Sequence, residues 1–337
     1  MSLTSMLSGK EDHLKEFQNI IRFRIPKKSD FFTLSNNNAF SKKEYRSRAP
    51  YVLKNQYNAS VVGIAFDYLA RIMIARVLGN IEDKEGAYKN LIAEKGLNII
   101  SKVLKNHKET MSKIIIKYEK SLLKIENYVR NEKPVKDLIP IAYFFAKLEQ
   151  TYRSGIPPID IKESLLGEPS SDITADLANI CNVFQSEFID KGLVTFNSKV
   201  IFNPNFGAAS MLVGGADGDI YIDGVLYDFK TTKYVGYKWK EIAQLLGYFY
   251  LNQLSKEMKR LGVPYPEDEM TIETVAFYKA RYGEIEAFDV SAYDSNFIKE
   301  VVMELVNYFN KYPTRGMVFS PLVHETIVDM GEELLGM

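Results

Sequence analysis

The stretch Gly214-Gly-Ala-Asp-Gly-Asp-Ile-Tyr-Ile-Asp-Gly-Val-Leu-Tyr-Asp-Phe-Lys230 decides how this chain folds. Asp223-Gly224 lies between two runs of strand-forming residues. This is a strong signal for a two-residue hairpin, because both turn positions need a positive φ that Asp and Gly tolerate. Such a turn sets Ile222 opposite Val225, which puts Asp219 across from Asp228 and Asp217 across from Lys230. Side chains alternate along a strand, so these four share one face, while Ile220, Ile222, Val225, Tyr227 and Phe229 take the other. A face carrying three carboxylates and a lysine, with facing residues about 5 Å apart, makes a poor core and a good cation site.

Two carboxylates that close repel each other when ionised, and a divalent cation removes the conflict. The single cysteine, Cys181, and the three histidines, His13, His107 and His324, do not supply the spacings of a zinc site. Any metal is therefore expected to be held by oxygen, which favours Mg²⁺, with Mn²⁺ able to replace it. The expected ligands are Asp219, Asp228 and the backbone carbonyl of Phe229, with Asp217 in reserve. Such an ion polarises a phosphate oxygen, and Lys230 beside it orients the attacking water or offsets developing charge. Phosphodiester hydrolysis is the reaction class this chemistry suits.

Working outward from the hairpin, strands are predicted at Lys199 to Phe202, Thr271 to Tyr278 and Glu284 to Phe288, with a helix from about Lys238 to Leu261 between them. A buried helix is expected from Ser60 to Leu78. Helices follow at about 83 to 105, 108 to 130 and 135 to 153, then from Ser171 to about Asp190 with Ser171 or Asp172 as cap, and from Ser291 to Phe309. The pattern divides into a basic N-terminal arm (1–58), a first core helix (59–82), a helical insertion (83–158), a core (159–312) and an irregular tail (313–337). Strands with helices before, between and after them predict an α/β fold.

The ordered set Asp219 (or Asp217), Asp228-Phe229-Lys230 and Gln244-Leu-Leu-Gly-Tyr248 resembles the PD-(D/E)XK nuclease superfamily, in its branch similar to the RecB nuclease domain. Gly63-Ile-Ala-Phe-Asp67 looks like the earlier helix of that family, in which a metal-liganding residue follows a glycine by four positions. Val62 to Arg71, Asn203-Pro-Asn-Phe206 and Ala280-Arg-Tyr-Gly283 are similar to a bacterial and phage subgroup. The match covers about 55 to 80 and 195 to 290. The family's proline is replaced by Gly218 or Ala216, which leaves the choice between Asp217 and Asp219 open. The resemblance implies a restriction-endonuclease-like core, a mixed β-sheet flanked by helices; it does not account for the helical block 83–158, which the pattern reads as an added insertion or subdomain. It also implies a metal-dependent deoxyribonuclease in which Asp67 adds a ligand and Gln244 and Tyr248 point back at the strand ends. Asp67 could instead pair with Arg71 one turn on.

Lysine plus arginine equals aspartate plus glutamate at 43 each, so nucleic acid would be drawn by local patches and not by overall charge. Lys233, Lys238, Lys240 and Arg281 are the candidate phosphate contacts near the site. Within the arm, basic residues alternate with Phe23, Phe31, Phe32, Phe40 and Tyr45, as either a phosphate-tracking segment or an extended strap whose aromatics dock on the body. No apolar run reaches the length of a membrane span and no signal peptide is evident, so a cytoplasmic location is expected. Two further readings share the fold: a nucleic-acid-binding or assembly module with weak or no catalysis, and a ribonuclease. Endo or exo action and any protein partner or oligomer stay open at this stage.

Overall fold

The computed structural model describes residues 2–130, 134–264 and 269–335. Among them the helices are α1 Leu3–Met6, α2 Asp12–Arg22, α3 Ala59–Val77, α4 Ile81–Glu85, α5 Ile92–Val103, α6 Lys108–Arg130, α7 Ile139–Ser154, α8 Ile161–Leu166, α9 Ser171–Phe184, α10 Gly207–Leu212, α11 Trp239–Arg260, α12 Ser295–Lys311, α13 Arg315–Phe319 and α14 Pro321–Leu335. The strands are β1 Phe32–Thr33, β2 Val200–Phe202, β3 Ile220–Ile222, β4 Val225–Lys230, β5 Thr274–Lys279 and β6 Glu284–Asp289.

The strands form one six-stranded sheet in the order β1-β6-β5-β4-β3-β2. Neighbours are antiparallel except β4 and β5, which run parallel. A parallel pair needs a crossover, and α11 supplies it. Both faces are covered. On one, Ile220, Ile222, Tyr227, Phe229 and Tyr278 pack under α3, α5, α6, α7 and α9. On the other, Tyr221, Leu226, Val275, Phe277 and Phe288 pack under α2, α10, α11, α12 and α14. The fold is thus α/β, an open mixed sheet between two helical layers.

The helical block is built into the first of these layers. α3 is apolar around most of its circumference, and a helix of that kind has to be buried on all sides. It lies between the sheet and α7, while α5 crosses α7 so closely that a Cβ on Gly96 would stand 1.9 Å from the carbonyl oxygen of Leu148. Only a glycine permits that approach.

Several expectations need correction. The N-terminal arm is not extended throughout: α1 and α2 fold it onto α11 and α12, and Phe31, Phe40 and Tyr45 are buried while Phe23 stays exposed. The tail is helical, because Met317, Val323, Ile327 and Met330 provide an apolar stripe that joins the second core. The cap of α9 is Ser170, and Asp172 instead accepts from the backbone of Lys54. β5 begins at Thr274 and α12 at Ser295, later than expected. Residues 131–133 of the block, residue 1 of the arm and 336–337 of the tail lie outside the described residues.

Candidate active site

The hairpin has the expected register. Asp223 and Gly224 take φ of 45° and 91°, and Ile222 pairs with Val225, Tyr221 with Leu226 and Ile220 with Tyr227. Asp223 also caps the neighbouring strand, its Oδ1 accepting from the Lys199 amide at 2.8 Å. The face bearing Asp228 and Lys230 is not wholly polar, since Tyr221 and Leu226 at its turn end are core residues under α11. Charge is confined to the end where β3 begins and β4 finishes.

At that end Asp219 stands one residue before β3, and its Oδ2 accepts from the Phe229 amide at 2.6 Å. This bond ties the first acid to the middle of Asp228-Phe229-Lys230. Asp228 is buried, and the Lys230 ammonium lies 2.6 Å from its Oδ2. The expected pairing of Asp217 with Lys230 does not form. Asp217 bridges Asn205 instead, because the Asn203–Phe206 approach, turned by a left-handed Asn203, runs alongside 217–219 and carries the pairing there. Asp217 is exposed, and the cations around it are Lys95, Arg153 and Arg71. Gly218 is closely packed between these segments: a Cβ on it would sit 3.1 Å from both Leu226 Cδ1 and Pro204 Cγ.

α3 and α11 approach this strand end from opposite layers. Gly63 sets α3 against it, with Thr231 Oγ1 3.4 Å from where a Cβ would be, an ordinary contact, and one turn later Asp67 comes within electrostatic reach of Asp219 and Asp228. Asp67 makes no hydrogen bond or ion pair with Arg71, whose Nε and Nη1 are buried without a hydrogen-bond partner. From α11, Gln244 Nε2 donates to the Tyr248 hydroxyl at 2.7 Å, and the Tyr248 ring stacks on Phe206 with 5.3 Å between centres.

The electrostatics follow from crowding acids in a buried place. Burial, with Asp219 adding to it, pushes the Asp228 carboxyl up to about 6 against the pull of Lys230. Burial and then Asp219 hold Asp67 well above the usual carboxylate range. Burial works against the charge on Lys230, but the carboxylates of Asp228 and Asp219 outweigh it and raise its pKa. Burial and Asp228 raise the Tyr248 phenol, which therefore keeps its proton.

Two residues that sequence reasoning missed complete the surroundings. Glu149, on α7, accepts from the Tyr68 hydroxyl at 2.6 Å and from Arg153 Nη2 at 2.6 Å, and its charge bears on Asp67. Arg153 in turn lies within electrostatic reach of Asp217 and Asp219. The only sequence signal was a Glu-x-x-x-Arg spacing on a predicted helix, which by itself reads as an ordinary surface pair.

The donor set suits a hard cation: oxygen ligands whose mutual repulsion a positive ion would relieve. Among the described residues, however, no three acids are grouped closely enough to form a ready metal shell. Asp228 is neutralised by Lys230, and Asp219 is turned toward the Phe229 amide. The chain matches no family model, no curated protein and no solved structure.

The candidate phosphate contacts divide. Lys233, Lys238 and Lys240 are exposed on the segment after β4; Lys238 pairs with Glu241 at 2.8 Å, and Lys233 lies 4.8 Å from the Tyr51 ring centre. Arg281 is corrected to an interior residue. Its side chain is buried, two of its nitrogens bond Asp176 at 2.9 and 2.6 Å, and its Nε donates to the Thr231 carbonyl, so no donor face is left for a phosphate.

Proposed function

We propose that this chain is a metal-dependent nuclease with a PD-(D/E)XK-type, restriction-endonuclease-like core, acting first of all on DNA. The observation that carries the reading is the convergence of Asp219, Asp228 and Lys230 at one strand end, with Asp67 facing them from α3. Asp219, Asp228, the Phe229 carbonyl and Asp67 would hold Mg²⁺ or Mn²⁺, with Asp217 as an exposed reserve ligand. The ion would polarise the scissile phosphate and acidify the attacking water.

The chain's own groups divide the remaining work. Lys230 keeps its proton at neutral pH, so it does not serve as a base; its ammonium orients the water and offsets the negative charge that grows on the phosphate oxygens. In the reaction the water gives up a proton to solvent as its oxygen bonds to phosphorus, the bond from phosphorus to the leaving sugar oxygen breaks, and that oxygen takes up a proton from solvent. Gln244 and Tyr248, bonded to each other, form the α11 wall that keeps Asp228 dry.

Purified protein with Mg²⁺ or Mn²⁺ is expected to cut labelled DNA, and Asp228→Ala or Lys230→Ala to abolish cutting with the circular dichroism spectrum unchanged. Variants as active as the parent would overturn the mechanism. A second reading, a nucleic-acid-binding or assembly module without catalysis, is favoured by the Lys230–Asp228 pair, which neutralises the site without an ion. It predicts binding without cleavage at any Mn²⁺ concentration. Parallel assays on RNA separate a ribonuclease from a deoxyribonuclease, since the site addresses phosphate and not sugar.

A further inference from the structure

A cleft of about 520 Å³ opens between the first turns of α3 and the end of α7, with Ser60 and Ile64 on one wall and Lys147, Gln150, Arg153 and Ser154 on the other. Ser60, Ile64, Asp67 and Arg71 recur at helical spacing and share one side of α3, so the cleft leads into the carboxylate site. Arg153 belongs to both: it lines the cleft and its charge reaches Asp217 and Asp219. Among the described residues the cleft walls carry two cations: Arg153, which is already paired with Glu149 just behind the wall, and Lys147.

Lys147 is half-buried, with its ammonium 5.4 Å from the Tyr143 ring centre, and it pairs with no carboxylate among the described residues. Burial pushes its pKa down, the mark of a cation lacking a counter-charge. Gln150 bridges to the Ser60 hydroxyl across the cleft at 3.3 Å. Ile156 at the rim is 73% exposed, an apolar surface against which an unpaired base can lie.

We propose that this cleft grips one strand of the nucleic acid beside the scissile bond, with Lys147 and Arg153 on successive phosphates and Ser60 and Gln150 hydrogen-bonding to the backbone. The inference rests on the nuclease reading and adds to it that the bound strand is single here. The space is that of a pocket for a drug-sized ligand, enough for one or two nucleotides and too small for a duplex.

The test uses the full chain, a labelled single-stranded oligonucleotide of about 15 nucleotides, and Lys147→Glu and Lys147→Gln beside Lys102→Glu, an equal charge change on the exposed side of α5. Lys147→Glu is expected to weaken binding measured in Ca²⁺ about tenfold, and Lys147→Gln to lower the slope of log affinity against log salt by about 0.7. The loss in cleavage should fall on KM, and the single strand should be preferred to the duplex. If the parent cuts and both Lys147 variants behave like Lys102→Glu, the cleft assignment is overturned while the nuclease reading stands. If the parent neither binds nor cuts any oligonucleotide, the nuclease reading falls and the cleft assignment with it.

Discussion

Asp228 is the residue on which most turns. Its carboxyl is lifted by burial and by Asp219 from 3.8 to about 6. A buried acid raised in the folded state favours the fold below its unfolded pKa and loses that contribution as pH climbs through the folded value. Between about pH 4 and pH 6 the metal-free protein should therefore lose stability at this position. Asp228→Asn is expected to flatten the fall of Tm over that range, and a parent-like slope would assign the effect to another group. Arg281→Ala belongs at the same scale. Stripping one partner from the buried pair with Asp176 is expected to cost about 3–5 kcal/mol in denaturant unfolding while leaving oligonucleotide affinity unchanged. The sequence made Asp219, Asp228 and Lys230 legible because a two-residue turn fixes register arithmetically. It left Arg281 looking like a phosphate contact, since its partner Asp176 lies on a helix far away in the chain and no local spacing announces such a pair.

At the scale of elements, the sequence reading was most secure where one periodicity ruled. β4 and α6 run as read, and α3 stands where its apolar recurrence put it. α1, α2, α13 and α14 were missed because they are short or follow polar, aromatic-rich stretches, and only tertiary contact with α11 and α12 gives their apolar positions something to cover. The function of the helical block was hidden for a related reason: α7 delivers Glu149 and Arg153 by crossing over α3, which no sequence spacing encodes. Gly96 is what permits that arrangement from behind. Gly96→Ala should separate α5 from α7, lower stability by about 1–3 kcal/mol in thermal melts and reduce cleavage at a temperature where the protein remains folded. Full activity with full stability would show that α7 can give way without consequence for the site.

For the whole molecule, the two helical layers matter because each supplies part of one constellation at a strand end: Asp67 and Glu149 from one side, Gln244 and Tyr248 from the other. Binding a divalent ion there should draw the layers together. Mn²⁺ at a hundredfold excess over its Kd is expected to stabilise the parent by about 2.7 kcal/mol, seen as a rise in Tm, and to leave Asp219→Asn or Asp228→Asn unmoved. An equal rise in the variants would place the ion elsewhere. No helix among the described residues is long and apolar enough to cross a membrane.

The parallel pairing of β4 with β5 also sets a timetable. β4 cannot gain its inner neighbour until α11 and β5 have been made, and Gln244 and Tyr248 arrive only with α11. At about 5–20 residues per second of synthesis, a nascent chain displays its acidic hairpin for seconds before the site can assemble.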